Sequence, residues 1–400
     1  MALFQKLKKR KQPLLRTYTE EAPADSFISV KTAPDGTFLV LAMLLQAIGI
    51  IMCFSASSAY AESSGGSSFN FLLGQLKFLA IGIAVVVFLL IFATPKRVRI
   101  IAILTYGVAL LLLVAVLIIG TAEGVAKRWI LIGGISIQPS EIAKTGLILI
   151  LSLYMSRYEE EINVGKFNKK KLIHGFIIPG IFVAVVLGLV ALEKHISGLI
   201  IICVISAVMM FLGGTSFPLL AGLGAAAAAA VWVLINFTGY SSARIDSWLH
   251  RGADVLGNDW QSTQGLYAIG TGGLFGLGIG QSRLKYGYVS QPQNDFVFTV
   301  VCEELGFFGA LTILLLFLAL IGRGFSLAAH AGDKFSSLAI FGLTFKLAVH
   351  VLFNVAVVTG LFPNTGISLP FFSSGGSATI MQLVDIGLIL ALSRYSTQKR

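Results

Sequence analysis

Charge is scarce in this chain. Of its 400 residues only 12% are Asp, Glu, Lys or Arg, while 56% are hydrophobic. A soluble domain carries about 25% charged and about 45–50% apolar residues, so a water-soluble globular fold is excluded. Cysteine is scarcer still. Cys53, Cys203 and Cys302 all fall in apolar stretches, which leaves neither a disulfide framework nor a zinc-binding spacing. No apolar run precedes Phe38, so no cleavable signal peptide is expected. No internal repeat is visible. The glycines at 272, 273, 276, 278 and 280 fit no phosphate-binding loop between strand and helix, and read instead as points of close backbone packing. The net charge of +11 would suit nucleic acid, but the Lys and Arg cluster in alternate loops, so no nucleic-acid partner is expected.

What the chain has is a series of long apolar runs, with a mean hydropathy of +0.85. At about 20 residues per crossing, ten spans are predicted near 38–54, 72–93, 100–120, 141–156, 175–192, 196–212, 217–236, 296–321, 337–359 and 378–394. The expected fold class is an all-α integral membrane protein of ten transmembrane helices. Basic residues concentrate in 1–37, 94–99, 157–171, 323–334 and 394–400, and the alternate loops are poor in them. Lys and Arg stay on the cytoplasmic side, so both termini are expected there. The organisation is then a basic N-terminal tail (1–37), a ten-helix membrane domain (38–395) and a short cytoplasmic C-terminal tail (396–400).

The outer loops differ in character. Residues 55–70 are small and polar and read as a flexible linker. Residues 127–141 place β-branched residues around Gly133-Gly134, which suggests a surface hairpin, with Pro139 opening the next helix. Residues 193–198 form a tight hairpin between the fifth and sixth spans. The extracellular loop 237–295, between the seventh and eighth spans, is too long for a passive connector. Its apolar, glycine-rich middle (265–280) suggests a re-entrant or interfacial lining.

Ionisable residues inside spans mark function or internal pairing. Here they are Lys77, Glu141, Lys144, Glu303, Glu304, Lys346, His350 and Asp385. Glu141 and Lys144 stand i,i+3 on one helix face and can pair. Lys77 can also snorkel to the interface. Asp295, immediately before the eighth span, is either a helix N-cap held by backbone N–H groups or a catalytic carboxylate. Trp129 is an interfacial anchor, or it packs beside a phosphate site formed with Lys127 and Arg128. His195 is a turn residue or a ligand. The run 354–377, with two prolines and several hydroxyls, is a rim for a head group or a structural loop.

Three motifs converge. QPSEIAK (138–144), QNDFVFTVVCEELGFFG (293–309) and NVAVVTGLFPNTGISLPFFSSGG (354–376) together resemble the SEDS family of bacterial shape, elongation, division and sporulation proteins. The likeness spans about 38–395, and the wording of the second and third motifs is closer to the division and sporulation branch than to the elongation branch. It implies a peptidoglycan glycosyltransferase that polymerises lipid II at the outer face of the cytoplasmic membrane, at the division septum. It implies a class B penicillin-binding protein transpeptidase and other division proteins as partners. Asp295 matches the family's essential acidic residue and is the implied general base of an inverting transfer. Arg128, Trp129, Gln138, Ser140, Glu141, Lys144, Arg244, Gln264 and Lys285 match positions implied to meet substrate, with Arg128, Lys144 and Lys285 as candidates for the pyrophosphate. His195, Glu303, Glu304, Pro370, Ser373, Gly375 and Gly376 are implied supporting residues. The residues show no diagnostic metal-ligand set, so no cofactor is assigned, although Mg or Mn could share the charge of the pyrophosphate.

The sequence departs from the family pattern at Lys194, where proline is usual, at Ser290-Gln291, in place of Pro-Glu, and at Ser374, in place of tyrosine. Two other functions remain open: a lipid II flippase, and a scaffold that recruits a transpeptidase.

The predicted topology has a direct test. Alkaline phosphatase fused within 237–295 should be active, and the same reporter at the C-terminus or within 157–171 should be inactive. The reverse pattern would invert the topology.

Overall fold

The computed structural model describes residues 32–63, 68–123, 126–132, 135–163, 168–238, 247–250, 259–288 and 292–395. Most of the basic N-terminal tail, the C-terminal tail, Arg244, the Gly133-Gly134 turn and Ser290-Gln291 lie outside these residues.

Helices occupy all ten predicted ranges. They are α1 (Gly36–Ser63), α2 (Ser68–Phe92), α3 (Pro95–Ile119), α4 (Pro139–Arg157), α5 (Lys169–Leu192, with a π turn at Ile173–Ile177), α6 (Ile196–Leu212) and α7 (Phe217–Thr238). A shorter α8 (Trp260–Thr271) precedes α9 (Val297–Ala329), α10 (Lys334–Val358) and α11 (Gly376–Ser393). Among the described residues, seven helices are long and apolar enough to cross a membrane: α1, α2, α3, α5, α9, α10 and α11. α6 is apolar but has only 17 residues.

The expected linker at 55–70 is a correction. α1 runs through Ser63, and residues 68–70 already belong to α2. Small residues do not forbid a helix. Here Ser55, Ala56 and Ser57 are buried, and the Ser55 hydroxyl donates to Glu304 at 2.7 Å. Tertiary packing therefore decides a stretch whose composition looked flexible.

The expected hairpin is present and gains a strand. β1 (Thr121–Glu123), β2 (Ala126–Ile132) and β3 (Ile135–Ile137) form an antiparallel sheet in the order β1-β2-β3, with Ile130 opposite Ile137. Pro139 then occupies the first turn of α4, where its missing N–H costs nothing.

Charge dictates which helices are central. α4 carries Glu141 and Lys144, which would be costly facing lipid. It is buried almost all round, and it packs against α3, α6, α10 and α5. The periphery carries the opposite signature: Val40, Met43, Leu104, Leu111 and Ile118 on α1 and α3 point outward. Such an apolar exterior suits a lipid environment. At the basic end, Asp35 caps α1 by accepting from Phe38 N–H at 2.8 Å and takes a two-pronged ion pair from Arg323. Hydrogen bonding to that guanidinium holds the Asp35 carboxyl below the usual carboxylate range.

α9 is broken. Gly306 has φ 69° and ψ −170°, which no helix tolerates. The break frees backbone groups, and the glycine-rich segment after α8 takes them up. Leu277 and Gly278 N–H donate to Glu303 and Glu304 O, while Phe307 and Phe308 N–H donate to Gly273 and Leu274 O. Close packing requires the glycines: a Cβ at Gly272 would lie 2.0 Å from Cys302 O, and one at Gly276 would lie 2.2 Å from Glu304 O. The glycine-rich stretch is thus a strap bonded to a helix break.

Gly306→Ala would put a side chain 2.2 Å from Gly276 N at a positive φ. The conformation alone costs about 1–3 kcal/mol, and the clash adds to that. A clear fall in the melting temperature of the detergent-solubilised protein is expected. An unchanged melting curve would refute the strap as a stabilising element.

Candidate functional site

Asp295 sits in a turn, 292–296, that leads into α9. The N-cap position falls on Phe296, one residue later than the capping reading assumed, and the Phe296 side chain makes no capping hydrogen bond. The turn is held from two directions. The Asn354 amide of α10 donates to Asp295 O at 2.8 Å and to Ile367 O at 2.7 Å, so one side chain ties the turn to the loop 359–375. Ser374 N–H donates to Gln293 O at 2.8 Å. A Cβ added to Gly366 would lie 3.6 Å from Asp295 Oδ2, so this loop faces the half-buried carboxylate.

The same loop reaches α6 and α8. The Ser197 hydroxyl, at the start of α6, donates to Thr365 O, and the Asn364 amide donates to Gln261 Oε1 of α8 at 3.1 Å. His195 precedes α6, with its Nδ1 3.5 Å from Ser140 Oγ of α4. Burial, helped by the charges of Arg128 and Lys144, pulls the His195 imidazole down to about 3, so it is neutral at pH 7. Arg128, half-buried on β2, donates to Lys194 O at 3.4 Å, and Trp129 beside it is half-buried. The structure therefore gathers Asp295, the loop 359–375, Ser140, His195 and Arg128 around one end of the bundle.

Beneath them lies a buried charge cluster. Lys144 Nζ is 2.5 Å from Glu141 Oε1 and 2.8 Å from His350 Nε2. Lys346 Nζ contacts Asp385 Oδ2 at 2.8 Å, Glu141 Oε2 at 3.7 Å and Thr145 Oγ1 at 3.2 Å. Thr145 in turn donates to Asp385 at 2.7 Å. The expected Glu141–Lys144 pair is thus present, inside a larger network. A cavity of about 50 Å³ separates this network from the loop at Ser368–Pro370 and Ser373.

Lys285 is placed differently from its expected role. Its ammonium is buried against Glu304 at 3.3 Å and Gly280 O at 2.7 Å. Glu303 accepts from Ser282, from Arg283 N–H and from Thr271. Both glutamates serve the strap at the α9 break. Gln264 is buried on α8, beside Gly265, which packs on the Phe296 ring. Gln138 caps α4 through its backbone, its N–H donating to Ser377 Oγ at 3.0 Å. Ser373 accepts from Leu369 N–H at 2.7 Å, Gly375 caps α11, and Gly376 lies where a Cβ would strike the Phe78 ring at 2.6 Å. Lys77 is exposed on α2. Three contributors escaped the sequence reading. Thr145 stands i+4 from Glu141 on the same face, Asn354 is a lone amide in an apolar helix, and Glu193 is an acid in a four-residue hairpin. Thr145 and Asn354 are uncharged members of predicted spans and Glu193 lies just outside one, so none of the three stands out as an ionisable residue within a span.

The sequence family described as "Cell cycle protein", FTSW_RODA_SPOVE, matches residues 36–398. The chain belongs to this family. Among family members it is 37% identical over 371 residues to Stage V sporulation protein E of Bacillus subtilis, covering 92% of this chain and 98% of that one. It is 32% identical over 374 residues to a probable peptidoglycan glycosyltransferase FtsW of Coxiella burnetii, covering 91% and 97%. Its fold matches a chain of a peptidoglycan synthase complex with a TM-score of 0.73 at 27% identity, covering 90% and 98%. It also matches the rod shape determining protein RodA of Thermus thermophilus with a TM-score of 0.66 at 28% identity, covering 92% and 99%. The chain therefore has the RodA-like fold of its family.

Breaking one arm of the buried cluster should be more harmful than removing it whole. Lys346→Met leaves Asp385 enclosed and unpaired, a loss of about 3–5 kcal/mol. Lys346→Met combined with Asp385→Leu should recover much of that loss in thermal unfolding. A double variant no better than the single one would refute the pairing.

Proposed function

We propose that this chain is a peptidoglycan glycosyltransferase that polymerises lipid II at the outer face of the cytoplasmic membrane during division, with Asp295 as general base. The observation that carries the reading is the clamped turn: Asn354 holds the carbonyl of Asp295 and Ser374 that of Gln293, while the aspartate's carboxylate faces the loop 359–375. A base must be fixed relative to its acceptor, and this turn is fixed from two elements. In the proposed topology ten helices cross the membrane, both termini are cytoplasmic, and the loop 237–295 lies outside. Asp295 then stands at the surface where the sugar head group lies.

The chemistry follows from these placements. The acceptor's 4-hydroxyl oxygen attacks the donor's C1 as its proton passes to Asp295, and the bond from C1 to the polyprenyl pyrophosphate breaks. The configuration at C1 inverts. A base so placed is worth about 10²–10⁴ in rate. Charge developing on the leaving pyrophosphate needs a fixed donor. Of the three cations expected for it, Lys144 is bound to Glu141 and Lys285 to Glu304. Arg128, half-buried beside the α5–α6 turn, is therefore the group we assign. The described residues hold no cluster of three metal-ligand side chains, so no step is assigned to a protein-held ion. The loop motifs and the family support a class B penicillin-binding protein as partner and the septum as the place of action. The internal charges that would favour a flippase pair with one another here, which supports the polymerase over transport.

Asp295→Asn is nearly isosteric and should lower lipid II polymerisation by at least about 100-fold, with or without a cognate transpeptidase, while membrane insertion persists. Glycan strands made at a near wild-type rate by the purified variant would sink the assignment.

A further inference from the structure

The turn that joins α5 to α6 holds an acid that the reaction scheme does not use. Glu193 is 1% exposed, and both of its carboxyl oxygens are enclosed without a hydrogen-bond donor. Arg128 reaches the same turn. Its Nε is likewise enclosed and without an acceptor, while its terminal nitrogen donates to the carbonyl of Lys194, the next residue after Glu193. Arg128 is also the charge that acts on both Glu193 and His195. Two enclosed carboxyl oxygens and an enclosed N–H therefore lie at one turn, bonded neither to each other nor to any other described residue. Buried groups of this kind are costly unless they satisfy each other, directly or through one water. Burial pushes the Glu193 carboxyl up to about 8, against the pull of Arg128.

The turn is built to hold this arrangement. Lys194 has φ 56°, a left-handed conformation unusual for a side chain of its kind. That conformation aims its carbonyl at Arg128 and leads directly into His195, which contacts Ser140 of α4. Strain kept at such a point persists only where the surroundings impose it.

We propose that Glu193 is a positioning residue for Arg128: its enclosed carboxyl fixes the guanidinium so that the remaining N–H groups present to the leaving pyrophosphate. The proposal rests on the reading above, in which Arg128 meets that group. Bidentate donors lose most of their value when they can swing, which is why a guanidinium at a phosphate site is braced.

The test is a double-mutant cycle on the purified full-length protein in lipid II polymerisation, read as kcat and KM, with melting temperature measured alongside. Glu193→Ala should lower kcat/KM by roughly 10- to 100-fold with little change in melting temperature, and Arg128→Ala should lower it at least as far. The double variant should be no worse than Arg128→Ala alone. Glu193→Gln, which keeps an acceptor and the side-chain shape, should fall between wild type and Glu193→Ala, and it serves as the test if the alanine variant does not fold. Multiplying effects in the double variant would overturn the proposal, as would full activity in both Glu193 variants. If Arg128→Ala itself keeps full kcat/KM, the pyrophosphate role of Arg128 fails and this inference falls with it. An impaired Arg128→Ala beside fully active Glu193 variants rejects only the bracing.

Discussion

An ammonium in an apolar interior must have partners, and the architecture here follows from meeting that demand. Lys346 of α10 lies between Asp385 of α11 and Glu141 of α4, with Thr145 bridging. Three helices are therefore obliged to share an axis of contact. Isolated charge at membrane depth is costly, so the chain places these helices inside and lets the apolar faces of α1 and α3 take outer positions. The loop 359–375 links two of these central helices, α10 and α11. The position of that loop, and hence of the turn bearing Asp295, is inherited from the buried charges.

A second constraint comes from α9. Its first half starts directly after the Asp295 turn, and it stops at Gly306 because that residue leaves helical space. A free break within a membrane span would strand backbone N–H and C=O groups. The strap after α8 supplies partners for four of them, and the carboxylates of Glu303 and Glu304 anchor the strap again through Ser282, Arg283 and Lys285. The half-helix carrying Asp295 at its head is thus fixed at both ends: by Asn354 and the loop 359–375 above, and by the strap below.

Much of this was legible in the residues. Among the described residues each of the ten apolar runs is helical, and seven of these helices have the length and hydropathy that a bilayer crossing needs. Glu141 and Lys144 announced their pairing by spacing alone. What escaped depended on contacts distant in sequence. The Ser- and Ala-rich end of α1 gives no hydropathy signal, and it is helical because Ser55 docks on Glu304, about 250 positions away. Lys285 looked like an outward-reaching cation, since nothing local reveals that Glu304 lies beneath it. Glu193 looked like part of a short hairpin, and nothing local reveals that it is enclosed. Local chemistry was readable, and the choice among several roles for one residue was made by tertiary packing.

The left-handed backbone at Lys194 has a bearing on how this sequence can change. Proline, the residue usual at this position in the family pattern, is locked near φ −65° and cannot enter the φ 56° state seen here. Reverting Lys194 towards its relatives, a common route to stabilised variants, would require the whole turn to be rebuilt around Glu193 and His195. The turn is therefore a lock on this sequence: a proline at 194 calls for compensating changes in the residues around it.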